Sequence, residues 1–172
     1  MADFDQAFVY LMSFEDAGMT GRITQDDGGR TRFGVAERYH PYLTPTGFFD
    51  KMPREEAIML TQSTYEHGEW HAMAGDKIAS QELANKILSL GVVLGIVRVI
   101  RWAQEAAGVH VDGQPGTDTI AAWNSDSAAP FHAISLDAEA HFRQRALEEP
   151  ADAKYLNGWL RRAQDAATLM AV

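Results

Sequence analysis

The chain has 172 residues, 46% of them hydrophobic and 23% charged, which is the make-up of a globular protein with a sizeable core and excludes a disordered segment. Its formal net charge of -9, from 15 Lys and Arg against 24 Asp and Glu, argues against a nucleic-acid partner, because phosphate binding needs clustered cations. The absence of cysteine rules out disulfides, thiolate nucleophiles and Cys-ligated zinc.

The opening MADFDQAFVYLMSF starts with acids and breaks up its apolar residues, so it is not expected to be a signal peptide. It reads as a helix. Phe4, Phe8, Leu11 and Glu15 recur at helical spacing, so a carboxylate continues an apolar stripe, and Gly18 and Gly21 end the element. Next, QDDG between GRIT and GRTRFGV predicts a β-hairpin with Asp-Gly at its turn and strands at Arg22–Thr24 and Arg30–Phe33.

Beyond His40 the pattern is mainly helical. Pro53 suits a first helical position, followed by Glu55 and Glu56 in the first turn, with Ala57, Leu60 and Thr64 on one face. Ser80 caps a helix with the stripe Leu83, Ile87, Leu90 and Leu94, while Gly91 and Gly95 signal close packing or a break near Gly95. The apolar run Ile87 to Val97 is too short for the ~20 residues of a membrane span. A further helix carries Ile96, Ile100, Ala103 and Ala107 to Gly108; the VDGQPG turn then leads into a helix capped by Thr117. Pro130 and Pro150 separate the last two helical stretches. The expected fold is α+β and predominantly helical, with a small N-terminal hairpin packed beside a helical bundle. A soft boundary near Gly95 divides residues 1–94 from 95–172 without separating their cores.

The loop from Glu15 to Val35 holds the chemistry. A carboxyl at the end of an apolar stripe is desolvated, and a carboxylic acid kept neutral can protonate a glycosidic oxygen. Asp26 and Asp27, at a hydrated hairpin, are suited to ionise; two carboxyls in contrasting environments are what glycoside hydrolysis requires. The Thr31 hydroxyl can hold an attacking water. Gly28, Gly29 and Gly34 let a polymer approach the backbone, and Phe33 belongs to the same expected binding surface. An acid at a helix end and a DDGG turn are also ordinary surface features, so these residues alone leave the bland reading open.

Glu15 followed by DDGGRTRFGV resembles the glycoside hydrolase family 108 muramidases, whose pattern is E-G-G-Y, a short spacer and D-P-G-G-x-T-x-x-G-I. Glu15 matches the family's catalytic Glu, and Asp26, Gly28, Gly29, Thr31 and Gly34 match the second block. Glu, Asp and Thr in this order also resemble phage-type lysozymes. GEWHAMAGDKIASQELANKILSLGVVLG, with Trp70, Gly75 and Asn85, is similar to the family's middle segment. AQEAAGVHVDGQPGTDTIAAWN is similar to its peptidoglycan-binding part, and PADAKYLNGWLRRA to its closing helix. The chain departs from the pattern at Asp16-Ala17-Gly18, at a spacer two residues longer, and at Ser89, Val93 and Thr117.

The resemblance implies a lysozyme-like fold, with a catalytic lobe over 1–94 and a peptidoglycan-binding-like lobe over 95–172. It implies cleavage of peptidoglycan between N-acetylmuramic acid and N-acetylglucosamine, with Glu15 as acid and Asp26 or Asp27 as second carboxylate. No metal or organic cofactor is required. The expected partner is the glycan strand, with no nucleic acid and no membrane span, and the chain is expected to be a monomer. It would be made in the cytoplasm and act at the wall or in the periplasm after holin- or secretion-assisted release. A lytic transglycosylase and a non-catalytic wall binder are the alternatives.

Among other candidates, His67 and His71 have metal-ligand spacing, but HGEWH offsets the zincin glutamate and supplies no third ligand. Tyr65 and Trp70 are placed on a groove wall for sugar stacking; Trp102 and Trp159 are assigned to packing. Arg161 and Arg162 either meet an anionic polymer or complement the last helix.

Overall fold

A computed structural model describes residues 1–26 and 29–167, the side chain of Asp26 excepted. Helix α1 spans Phe4–Glu15, and its first turn is capped by the Asp3 carboxylate, which accepts the Gln6 N–H at 2.9 Å. Phe8 and Leu11 on its stripe are fully buried. The strands β1 (Thr24–Asp26), β2 (Gly29–Arg32) and β3 (Val35–Ala36) form an antiparallel sheet in the order β1-β2-β3.

The first strand lies two residues later than the expected Arg22–Thr24. The pairs Thr24↔Thr31 and Asp26↔Gly29 fix the register right up to the connection, so β1 occupies the residues nearest the turn. The expected Asp27-Gly28 turn itself lies outside the described residues. Strand β3 was not expected. It exists because Phe33 (φ 50°) and Gly34 (φ 76°) both adopt positive φ, the requirement of a two-residue hairpin loop whose twist matches its strands. Buried Arg32 braces this sheet by donating to the carbonyls of Gly21 (3.0 Å), Phe48 (2.9 Å) and Met52 (3.0 Å).

After a 3-10 turn over Pro41–Thr46, α2 runs over Arg54–Tyr65 and passes directly into a π-helical turn, Glu66–Trp70. Pro53 precedes the helix as its N-cap residue instead of opening it. Helix α3, Gln81–Leu94, is the central rod. Ser80 accepts the Leu83 N–H at 3.1 Å, and Leu83, Ile87, Leu90 and Leu94 are all buried as their spacing predicts.

Gly95 (φ 88°) ends α3 and begins α4, Ile96–Ala106. Gly91 lets Ile96 pack closely at that corner: a Cβ there would stand 2.4 Å from Ile96 Cδ1 and 3.3 Å from its Cα. The anticipated break and close packing both occur at this corner.

Helices α5 (Thr117–Ser125), α6 (Ala128–Glu148) and α7 (Leu156–Gln164) complete the bundle. Gly116, not Thr117, is the N-cap of α5. Pro130 does not separate helices but sits in the first turn of α6, where its missing N–H breaks no intrahelical bond. The VDGQPG turn is pinned by buried Gln104, whose side chain bonds Asp112 (2.9 Å to Oδ1) and accepts the Gly113 N–H (2.8 Å).

The fold is therefore predominantly helical, with the small sheet packed beside the bundle. One core runs through it: α3 packs against α1, α4, α6 and α7. The chain's end is tied to α3 from inside. Lys86 donates to the carbonyls of Ala163 (3.0 Å) and Asp165, and Asn85 donates to that of Ala167 (2.8 Å).

Candidate functional site

The site is organised around Glu15, the last residue of α1, whose side chain is 18% exposed. Its Oε1 receives the Nη2 of Arg162 at 2.5 Å, across 147 positions of sequence. Arg162 is itself 8% exposed at the side chain, donates its Nε to Ser89 at 3.0 Å, and lies 4.9 Å over the Phe14 ring. The isolated desolvated acid expected from the apolar stripe is thus corrected to one member of a half-buried ion pair. The assignment of Arg162 to a wall-facing or helix-end role is corrected with it, because the guanidinium points inward from α7.

The other oxygen, Oε2, faces the β2–β3 turn. A Cβ on Gly34 would stand 2.8 Å from Oε2, Cγ and Cδ of Glu15 alike, so only glycine lets the turn close against the carboxyl. The turn is anchored from below. Buried Tyr65, the last residue of α2, donates its hydroxyl to the Phe33 carbonyl at 3.3 Å, and burial pushes its phenol well above the ordinary range. Next to Glu15, Asp16 folds the following loop by accepting the N–H groups of Thr20 (3.0 Å) and Gly21 (2.7 Å). Partial burial opposes its ionisation, but these hydrogen bonds and the Arg54 charge win, holding its carboxyl below the usual range.

Glu15, Thr31, Phe33 and Gly34 line one cleft of about 190 Å³ together with Asp16, Thr20, Arg22 and Thr24. A second cleft, of about 430 Å³, shares Gly34 and continues past Tyr39, His40, Tyr65 and Glu69 to the α3–α4 corner. A groove with Gly34 in the wall of both its parts suits an extended ligand. Gly29 opens β2 with φ 104° but lines neither part. The Asp26 side chain, Asp27 and Gly28 lie outside what is described.

One expected sugar platform and one expected binding side chain are corrected. Trp70 is 1% exposed: its indole lies flat on Gly75, where a Cβ would be 2.3 Å away, and its Nε1 donates to Asp76 at 2.8 Å. Phe33 is 2% exposed, its ring seated against Gly21, so it offers backbone but no stacking face. Tyr65, 1% exposed, lies at the base of the second cleft and presents little ring to a ligand. Trp159 does more than pack. One face stacks on Phe142 at 5.2 Å, and the residue also lines a third cleft beside α1.

Glu69, the acid within HGEWH, is a functional candidate that the spacing of the two histidines does not signal. The π-helical turn sets it half-buried in the wall of the second cleft, where desolvation raises its carboxyl above the usual range. His67 and His71 stack 5.5 Å apart. No group of three or more metal-ligating side chains occurs among the described residues. Nor is any described helix long and apolar enough to cross a membrane.

Residues 98–164 match the family model described as "Predicted Peptidoglycan domain", covering α4 to α7. The fold as a whole is similar to the solved structure of SagA from Brucella abortus, with a TM-score of 0.69 at 21% sequence identity over 95% of this chain and 91% of that one. Among curated proteins, none is matched by this chain.

Proposed function

We propose that the protein is a peptidoglycan hydrolase that cleaves the β-1,4 bond between N-acetylmuramic acid and N-acetylglucosamine, with Glu15 as general acid. One observation carries the reading. A carboxyl at the end of α1 is clamped on Oε1 by a buried arginine, while Oε2 is turned toward a glycine-walled groove that also holds Thr31. The match of residues 98–164 to a peptidoglycan domain model supports the substrate class, and the likeness to SagA supports the fold on which the site is built.

The arrangement defines the chemistry. With Oε1 held by Arg162, the carboxyl plane is fixed, and in the protonated form of Glu15 it is Oε2 that carries the proton and delivers it to the departing glycosidic oxygen. Thr31, in the same cleft, positions the water that attacks the anomeric carbon. Asp26 or Asp27, at the hairpin that carries Thr31, supplies the second carboxylate, which takes the water's proton or supports the oxocarbenium-like charge. The products are a reducing-end muramic acid and a free glucosamine 4-hydroxyl. The chemistry uses carboxyls and water and requires no cofactor.

On this reading residues 1–94 carry the catalysis and 95–172 a wall-binding-like lobe sharing their core. The protein works as a monomer at the wall or in the periplasm, after holin- or secretion-assisted release from the cytoplasm.

The test is mass spectrometry of the soluble products released from purified peptidoglycan, with Glu15→Gln alongside. Hydrated reducing-end muramic acid, absent with the variant, is the expected result. Anhydro ends would replace water by the sugar's own hydroxyl and make the enzyme a lytic transglycosylase. No release by the wild type would refute catalysis.

A further inference from the structure

A third cleft, of about 400 Å³, lies between the last turn of α1 and the segment from Lys154 to Arg162. Its walls include Phe14, Lys154, Tyr155, Trp159, Arg161 and Arg162; Arg162 is paired with Glu15, so Lys154 and Arg161 are the charges the cleft offers beside three aromatic rings, and no acidic residue lines it. In a chain of net charge -9 that is a local inversion of sign. The cations lie over the rings: Arg162 and Arg161 stand 4.9 and 5.9 Å from the Phe14 centroid, and Lys154 Nζ stands 4.8 Å from that of Tyr155. Among the described residues, Lys154 and Arg161 have no carboxylate within ion-pair distance, whereas Arg145 of α6, over the Trp159 ring, is neutralised by Asp152 at 2.7 Å.

The cleft lies beside the candidate active site, with which it shares no lining residue, and two neighbours connect them. Phe14 precedes Glu15 in α1, and Arg162 holds Glu15 with one nitrogen while its plane covers Phe14. A ligand reaching from the Glu15 groove into this space would place neutral sugars at the carboxyl and anionic groups among the cations. Aliphatic parts of such a ligand would lie against Tyr155, since the Trp159 ring already carries Phe142 and the Arg145 guanidinium, each 5.2 Å from its centroid.

We propose that this cleft binds the carboxylate-bearing stem peptide that branches from the glycan strand, an assignment that rests on the peptidoglycan reading above. It also answers how an acidic protein approaches an anionic wall: the attraction is local, confined to the face next to the reacting sugar.

The experiment titrates the free stem peptide L-alanyl-γ-D-glutamyl-diaminopimelyl-D-alanine into the full-length protein, following binding by NMR. Its carboxyl-amidated form and polyphosphate serve as comparison ligands. Wild type is expected to bind the peptide, with Tyr155 and Trp159 resonances shifting, and Lys154→Ala/Arg161→Ala to bind it about tenfold or more weakly, as loss of charge-assisted contacts predicts. Lys154→Arg/Arg161→Lys, which keeps both charges, is expected to restore binding, and matched thermal melts establish that each variant folds.

Equal binding by wild type and the alanine variant, undiminished binding of the amidated peptide, or no binding by wild type would overturn the proposal. Tighter competition by polyphosphate would reassign the cleft to a phosphate polymer. Glycan cleavage is read separately. Release of muropeptides without stem binding defeats only the cleft assignment, whereas stem binding without release defeats the hydrolase reading and leaves a wall-binding protein.

Discussion

The pair Glu15–Arg162 joins the first helix to the last, and its removal one partner at a time predicts a specific pattern of stability. Arg162→Met keeps much of the side-chain volume but deletes the guanidinium, leaving Glu15 without its 2.5 Å partner and Ser89 without its donor. Breaking a buried pair in this way costs about 3–5 kcal/mol. Glu15 is 18% exposed and keeps part of its hydration, so the expected loss is about 2–4 kcal/mol. Glu15→Gln preserves an acceptor for Arg162 but leaves a cation only 8% exposed without its counter-charge, at a cost of about 1–3 kcal/mol.

The double variant has neither charge. It is expected to be more stable than the sum of the two single losses implies, by about 1–3 kcal/mol. Urea unfolding of the four proteins at neutral pH closes the cycle, and in thermal scans Arg162→Met should melt roughly 5–15 °C below wild type. Additivity within about 0.5 kcal/mol would show that the two groups do not interact energetically, and the geometry assigned to the Glu15 carboxyl would lose its support.

Gly34→Ala would put a methyl 2.8 Å from the Glu15 carboxyl at φ 76°; it should cut glycan release about 100-fold and cost about 1–2 kcal/mol, measured on labelled wall and by thermal melting. Glu69 holds its proton more tightly when folded, so its favourable contribution is complete below the unfolded value near ~4.3 and is lost as pH rises through the folded one. Urea midpoints should therefore show Glu69→Gln gaining on wild type as pH rises from acid toward neutral, and a constant gap would refute the burial argument.

Lys86 runs the other way. Burial lowers its ammonium to about 8, with Asp165 only partly opposing, so its contribution is complete above the unfolded value near ~10.4 and is lost as pH falls through about 8. Wild type should gain on Lys86→Met by about 3 kcal/mol between those limits, and parallel stability curves would contradict it.

Much of the scaffold is legible because local rules and tertiary demands agree. The stripe of α3, the Ser80 cap and the Gly95 break each depend on neighbours within a turn or two. The errors occur where distant residues decide. The β1 register follows from its pairing with β2, and β3 depends on a positive-φ Phe33 that no propensity favours, held there by the Tyr65 hydroxyl from α2. Trp70 looks like a sugar platform until Gly75 is seen to receive its face.

Arg162 left a usable signal: it stands three residues after Trp159 and beside buried Ala163, extending an apolar face as Glu15 does in α1. Two opposite charges that each interrupt an apolar stripe are candidates for one another. Glu69 left none, since an i, i+4 reading of its histidine neighbours assumes a regular helix, and the π-turn breaks that spacing.

The position of Arg162 also bears on how the two halves of the chain are joined. It lies within the segment matched to a peptidoglycan domain model, yet the group it holds belongs to α1. The same end of the chain is fastened by Tyr10, which donates to Asp165 at 2.9 Å, and by Lys86 and Asn85 from α3. These are buried or half-buried polar contacts, costly to leave unpaired, so α7 cannot detach without exposing unpaired groups in both α1 and α3. A boundary at Gly95 is therefore a corner in the chain and not a seam in the core. The segment that contributes the cationic cleft also sets the orientation of the Glu15 carboxyl, and one arginine, Arg162, belongs to both.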